Sequence, residues 1–272
     1  MTKKNLVQIT TDQRGNEIIM VRVNKTLKEL MEEKPSSRWD VSFWHPDFQN
    51  LIAKISNNYK VDLFGDYIES ITYGQVGQRV YSEKGSVKYI QTINITSTGV
   101  DYLIKLATID EGSHNDPLRS RLKYGDLLLG NAGMGGLGKV TLFVDKDIKV
   151  NISQDIDLIR CKNINKYYVV VYLKSVFGNK QIWIRSRGVG APKLPFDEIK
   201  AIKIPILPDK AQKNIELEYK KMAVYHGKAM ESKKYSNEAE YKKNIEIAEK
   251  MLKDLIAKTE AVIRGERVVI ID

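Results

Sequence analysis

The run Gly133-Met134-Gly135-Gly136-Leu137-Gly138-Lys139 has the GxxxxGK spacing in which glycine amides and a lysine cradle a nucleotide phosphate. That chemistry also needs Ser or Thr next, to hold magnesium, and a helix whose N-terminus faces the phosphate. Here the next residue is Val140, and Val140 to Val144 reads as a strand. The run is therefore read as a tight glycine-rich connection between two strands. Glu198-Ile199-Lys200, with Asp155 or Asp157 upstream, has the composition of an Asp…Glu-x-Lys nuclease site. Such triplets are common by chance, and Asp197-Glu198 suits the first turn of a short helix equally well. The sequence has no Asn-Pro-Pro-aromatic motif of an adenine amino-methyltransferase. His45, His114 and His226 are isolated, and no Cys or His stands at metal-ligand spacing. No Ser, Cys or His sits in the setting of a nucleophile. The reading is of a chain without catalysis, metal or cofactor of its own.

Binding chemistry is better represented. Three segments mix polar, basic and aromatic residues: Tyr73 to Arg79, Lys88 to Asn94, and Gln181 to Gly188. Gln and Asn can bridge adenine, Arg can bridge guanine, and Lys holds phosphate. On this basis Gln75, Gln78, Arg79, Gln91, Asn94, Arg185 and Arg187 are expected to contact bases or grooves. Lys84, Lys88 and Lys193 are expected to contact phosphate. Any one of these segments reads equally as a solvated loop. The net charge of +10 favours a polyanionic partner, although a merely basic protein would show it too. From Asp209 to Arg264 there are 13 Lys/Arg against 10 Asp/Glu, a net of +3, which leaves +7 for the rest of the chain. The excess thus sits mainly outside the charged C-terminal helix.

Hydrophobic residues make up 42% of 272, enough for a sizeable core. The single cysteine, Cys161, lies in an apolar strand-like run and is read as a buried thiol in a reducing compartment. The N-terminus lacks the apolar stretch of a signal peptide, and Tyr167 to Leu173, the longest apolar run, is too short to span a bilayer. These features predict a cytoplasmic protein with no membrane contact.

The elements that must position the loops follow from periodicity and turn residues. Residues 5–23 read as a hairpin around Gly15-Asn16, Leu27 to Glu33 as a short helix, and Asp47 to Ile55 as a second. Val87 to Ile95, Tyr102 to Ile109, Asp126 to Leu129, Val140 to Val144, Ile156 to Arg160 and Ile202 to Leu207 read as strands. Tyr167 to Val176 leans to helix. After Pro208 the composition is helical. Positions 241, 245, 248, 252, 255, 259 and 262 form a heptad seam, and Ile215, Tyr219, Met222, His226 and Ala229 form an earlier set. The register fails between them, which predicts either one helix with a weak middle or a hairpin broken near Ser232–Asn237. Lys and Glu flank the seam, which favours coiled-coil pairing over packing on the chain's own domain. Tyr241, Ile245, Leu252, Leu255 and Val262 are then the expected self-association or partner interface.

Several landmarks, in order over about residues 60–265, resemble the specificity subunits of type I restriction–modification systems. They are Val87 to Ile95; Lys123-Tyr124-Gly125-Asp126-Leu127-Leu128-Leu129 through Gly138-Lys139-Val140; Asn151 to Gln154 with Ile156 to Arg160; Tyr172 to Ser175 with Gly178, Gln181, Gly188 and Gly190; and Ile202 to Pro208 with Gln212 and Ile215. Arg38-Trp39-Asp40 with His45-Pro46 is similar to the opening of some related modules. The resemblance implies sequence-specific binding of double-stranded DNA. It also implies docking on a methyltransferase subunit and, through it, a restriction subunit. A full specificity subunit has two recognition domains and two arms, whereas this chain has one of each. The resemblance therefore implies a half-subunit whose copies pair as a homodimer through the arm and read an interrupted, inverted site.

The expected fold is α+β. A target-recognition domain spans 1–207, with hairpin and helices over 1–58 and a mostly β core over 59–207. A helical arm spans 208–265 and a strand-like tail 266–272. Two other functions fit the residues: an RNA-binding protein, which would prefer single strands, and a coiled-coil scaffold, whose binding would be insensitive to salt.

Overall fold

The computed structural model describes residues 6–12, 14–23, 25–33, 41–55, 57–77, 80–188, 190–267 and 270. Strands β1 (Leu6–Thr11) and β2 (Glu17–Arg22) pair antiparallel as the expected hairpin. The Asp12 carboxylate closes the turn by accepting the amides of Arg14 and Asn16. Helices α1 (Leu27–Glu33), α2 (Val41–Trp44) and α3 (Pro46–Ile55) follow. Pro46 opens α3, where its missing amide costs nothing. The remainder is α+β as expected, built on β3 (Val61–Leu63), β4 (Ile68–Tyr73), β5 (Val87–Ile90), β6 (Ala107–Ile109), β7 (Leu127–Gly130), β8 (Val140–Leu142), β9 (Val150–Ile152), β10 (Ile156–Cys161) and β11 (Lys203–Pro205). The later helices are α4 (Lys166–Lys174), α5 (Val176–Arg185), α6 (Phe196–Lys200), α7 (Asp209–Lys234) and α8 (Glu238–Ile263).

The central sheet is antiparallel in the order β4-β10-β7-β8. Its residues alternate between two cores. Leu127, Leu129 and Ile159 join a large core under α3, α4, α5 and α7, whereas Leu128, Ile156 and Leu158 join a smaller one against β5 and β9. Both faces are covered, which is why Leu127-Leu128-Leu129 is an unbroken apolar run. β5 is the middle of a second sheet, antiparallel to β6 and parallel to β9, and β11 pairs with β3.

Helix α4 is buried along its whole circumference from Tyr167 to Leu173. Asn165 caps it by accepting the amides of Tyr167 and Tyr168, and Ser175 ends it and caps α5. Its β-branched run, ambiguous in sequence, is helical because caps and burial on all sides override propensity.

Four expected strands are shorter than their sequence suggested. Val140 to Val144 ends at Leu142, and Ile202 to Leu207 is reduced to Lys203–Pro205. Two more are interrupted by side-chain bonds or backbone turns. The strand over Val87 to Ile95 stops at Ile90, because the Asn94 side chain accepts the Gln91 amide and donates to the carbonyls of Asp101 and Ile104, tightening residues 92–94 into a 3-10 turn. The strand over Tyr102 to Ile109 survives only from Ala107, since Asp101 accepts the Leu103 amide and Lys105 takes a positive φ of 42°. The expected loop from Gln181 is helix α5 as far as Arg185.

The arm is a helical hairpin, broken at Tyr235–Asn237, the second of the two expected forms. Ser236 adopts φ 58° there, and Asn237 caps α8 by accepting the Glu240 amide. The two heptad sets pack on each other and against α4. Leu252, Leu255 and Val262, expected to face a second chain, are buried within this one, and Tyr241 and Ile245 are half-buried. The seam's partner is the earlier helix, brought alongside by the short turn. The expected tail strand over 266–272 falls largely on residues outside those described, as does Arg38-Trp39-Asp40. Among the described residues no helix is long and apolar enough to cross a membrane.

Besides its packing on α4, the arm is tied to the β-rich core through residues 97–101. His226 of α7 is buried between them: Thr98 Oγ1 lies 2.8 Å from its Nδ1, and the Val100 carbonyl lies 3.2 Å from Nε2. Gly99 is required here, since a Cβ would stand 2.5 Å from the imidazole. Lys233 pairs with Asp101 at 2.6 Å, and Lys174 donates to the Ser97 carbonyl. Burial lowers the His226 pKa below its ordinary 6.5, against the opposing pull of the Val100 carbonyl, Asp145 and Asp101. The unfolded chain therefore takes up this proton first as pH falls. The clamp's contribution is full above the unfolded pKa and is lost as pH drops below about 6.5. Thermal melting between about pH 8 and 5 is expected to show stability declining below about pH 6.5, and His226→Gln is expected to flatten that part of the profile. An unchanged profile in the variant would assign the decline to other groups.

Candidate nucleic-acid interface

Register places four strand ends together. Asp157 pairs with Tyr73, Ile156 with Gly130, and Leu129 with Val140, so β4 and β7 end where β10 and β8 begin. The parallel pair β5/β9 also ends here, with the Ser153 amide on the Ile90 carbonyl and Gln75 bridged to Ser153. The loops after Tyr73, Ile90, Gly130, Ile152 and Arg185 therefore share one end of the molecule. The last of them is tied in by the bridges Ala132–Lys193 and Arg187–Lys193 and by the Gly133 amide on the Pro192 carbonyl.

The glycine-rich loop is closed on itself. The amides of Gly136 and Leu137 donate to the Gly133 carbonyl, that of Gly138 to Gly130, and that of Lys139 to Gly136. A phosphate cradle would need these donors free. The Lys139 ammonium is held by the Thr92 carbonyl at 3.0 Å, and the chain continues into β8, not a helix. The loop is a rigid strand connection whose exposed tip is Met134-Gly135.

The expected contact residues divide into four groups. Gln75, Gln91, Arg187 and Lys193 lie on the shared end. Gln75 Nε2 lies 2.7 Å from His114 Nε2, Arg187 pairs with Asp197 at 3.0 Å, and Lys193 is exposed. Lys84 and Lys88 lie toward the opposite end of β5, with Lys88 over the Tyr102 ring at 4.6 Å. Gln78 and Arg79 are outside the described residues. Asn94 and Arg185 are interior. Asn94 is fully buried, with its amide used in the 92–94 turn. Arg185 is buried against Glu198 at 2.9 Å, because Gln181 to Arg185 is helix and turns that side chain inward.

The structure adds residues that the sequence reading passed over. Arg119 stands over the Tyr73 ring at 5.4 Å and donates to Thr72 Oγ1 and to the carbonyls of Tyr73 and Gly74. Trp183 packs beside Gly138. Beneath the loops, Asn131 Nδ2 bonds Asp157 Oδ1 at 2.5 Å. Burial pushes the Asp157 carboxyl up to about 7, opposed by the Asn131 bond and the charge of Lys193. The imagined nuclease constellation is not assembled. Glu198 is taken by Arg185, Asp157 by Asn131, and among the described residues no three acids, histidines or cysteines are grouped to hold a metal ion.

No family model matches the chain, and no curated protein does. Among solved structures it is similar to the S subunit of a type I restriction–modification system from M. genitalium, with 11% identity and a TM-score of 0.42 over 64% of this chain and 41% of that one. It is also similar to the HsdS subunit from Thermoanaerobacter tengcongensis, with 12% identity and a TM-score of 0.41 over 89% and 57%. A third likeness is to a chain from a structure on complex assembly and conformational transition of the type I R-M system, with 12% identity and a TM-score of 0.44 over 89% and 56%. The chain thus spans about half the length of these proteins.

Proposed function

We propose that this chain is the sequence-reading part of a type I restriction–modification system: a non-catalytic module that binds duplex DNA and positions methyltransferase and restriction subunits on it. The observation that carries the reading is the gathering of five loops at one end of two sheets, with Gln75, Gln91, Arg187 and Lys193 on them. Amide side chains, a guanidinium and an ammonium on a rigid frame are what base edges and phosphates require. The ordered landmarks of the sequence support the same reading. The glycine-rich run and Ile202 to Pro208 fall at the β7–β8 connection and at the entry to α7.

In this reading Gln91 and Gln75 meet base edges, and Lys193 meets phosphate. Lys84 and Lys88 stand farther back, where they could meet only flanking phosphates. Pairing of two copies, or docking on a methyltransferase subunit, uses the outer face of α7, where Leu217 and Val224 are exposed among Lys213, Lys221 and Lys228, with Tyr235 exposed just beyond the helix end. The buried seam is not free for it.

Selection of bound fragments from random duplex DNA, with and without a partner methyltransferase subunit, tests the whole. The expected product is an interrupted inverted repeat, and Val224→Asp reduces it to a single half-site. Lys193→Ala is expected to weaken binding evenly across sequences and to lower the slope of log K against log salt by about 0.9. Gln91→Ala is expected to relax one base position at a cost of about 1–3 kcal/mol. Absence of duplex binding at low salt, with and without the methyltransferase, would refute the reading.

A further inference from the structure

Strand β4 is the outer strand of the central sheet and, among the described residues, pairs only with β10. Its other edge borders an open groove of about 450 Å³ between the strand, the turn after β3 and helix α6. This falls within the ~300–1,000 Å³ usual for ligand pockets. The groove is closed at both ends of the strand. At one end the Ile68 amide bonds the Gly65 carbonyl, and at the other Arg119 takes the carbonyls of Tyr73 and Gly74. Between them, among the described residues, Glu69 to Ile71 have no backbone partner on that side, and Glu69 and Ser70 are exposed. An unpaired row of amides and carbonyls is a template for another strand. Leu63, 45% exposed, and half-buried Ile71 give the groove an apolar floor.

Its charge is opposite to that of the molecule. Asp66 and Glu69 line it without an ion pair among the described residues. Asp197 at the rim is matched by Arg187, and Lys200 adds one positive charge. In a chain of net charge +10 this is a local acidic strip. It repels phosphate, so the DNA proposed for the loop end does not extend into it. Guarding of the edge against self-pairing would account for one outward acid. It does not account for a groove walled by a second element and floored by apolar side chains.

We propose that the outer edge of β4 is a docking site for an extended, basic segment of a partner protein, taken up as an added strand. Backbone bonding supplies the affinity, and alternate Lys or Arg side chains reach Asp66 and Glu69 while the intervening residues cover Leu63 and Ile71.

Panning short random peptides displayed on phage against the whole chain tests this. The expected winners lack proline and carry Lys or Arg at alternate positions. A synthetic winner is expected to lose about tenfold or more in affinity against the Asp66→Lys/Glu69→Lys variant, and to lose binding when its alternate amides are N-methylated. Duplex DNA binding by that variant is expected to be retained, which separates this site from the loop end. Recovery of no peptide would overturn the proposal, as would winners indifferent to both changes. Self-association of Glu69→Val without peptide binding by the wild type would reassign the acids to guarding the edge.

Discussion

Arg185→Ala is expected to lower the stability of the chain by about 3–5 kcal/mol, measured by urea unfolding. The Arg185 side chain is 3% exposed and its partner Glu198 is fully buried, with Nη1 and Oε2 2.9 Å apart. Arg185 also donates to the Glu33 carbonyl and stands over the Phe43 ring at 5.1 Å, so one side chain ties α5 to α6, α1 and α2. Burial lowers its pKa, and the Glu198 charge opposes that. Truncation removes the Arg185 guanidinium from a fully buried carboxylate, the costly way to break such a pair. Replacing both partners with apolar residues, Arg185→Met with Glu198→Met, is expected to recover most of the loss, because the desolvation of both ions is avoided. The recovered protein is expected to bind duplex DNA as the wild type does. A loss below about 1 kcal/mol for Arg185→Ala would show that water reaches the pair. Lost DNA binding in the recovered double variant would return Arg185 to the interface.

Gly130→Ala is expected to cost about 1–3 kcal/mol by overpacking and to impair DNA recognition with it. A Cβ there would stand 2.0 Å from the Gly136 carbonyl oxygen, backbone that cannot swing aside as a side chain would. The same bonds that close the loop, Gly138 to Gly130 and Gly130 to Lys139, would carry the displacement to Lys139 and its contact with Thr92. Gly135→Ala is the control. Nothing lies within 4 Å of its Cβ position, and its φ is not in the left-handed region. Its melting temperature is expected to stay at the wild-type value. Equal effects of the two substitutions would mean that the loop is not the closed turn described.

These two positions also mark what the sequence could reveal. Glycine clustering between two β-type runs identified a strand connection, and the valine after Lys139 kept it from being read as a phosphate site. Gln181 to Gly188 reads as a loop from its mix of polar, basic and aromatic residues. The cap that starts the helix, Ser175, stands ten residues before Arg185 and belongs equally to the end of α4. Asn94 continued an alternating pattern that its own side chain interrupts. The heptad seam was visible, but periodicity names no partner. The short turn at Ser236 decides that the second set in the same chain fills that role. Arg119 was out of reach for a different reason. It is 46 residues from Tyr73 and meets it only through packing against β4.

The alternation along β7 and β10 has a consequence for how such a protein can diverge. Every side chain on those strands that faces a core is committed to one of two interiors, while the connections at the strand ends are bound to the frame mainly through backbone atoms. Apart from the close approach at Gly130 and the bond from Asn131 to Asp157, such backbone bonds do not depend on side-chain identity. If the loops bind as proposed, their exposed residues can therefore be replaced, lengthened or shuffled between descendants without retuning the interior, and the interior can drift without erasing what the surface recognises. Two populations of mutations, one judged by stability and one by target, accumulate almost independently in a single chain.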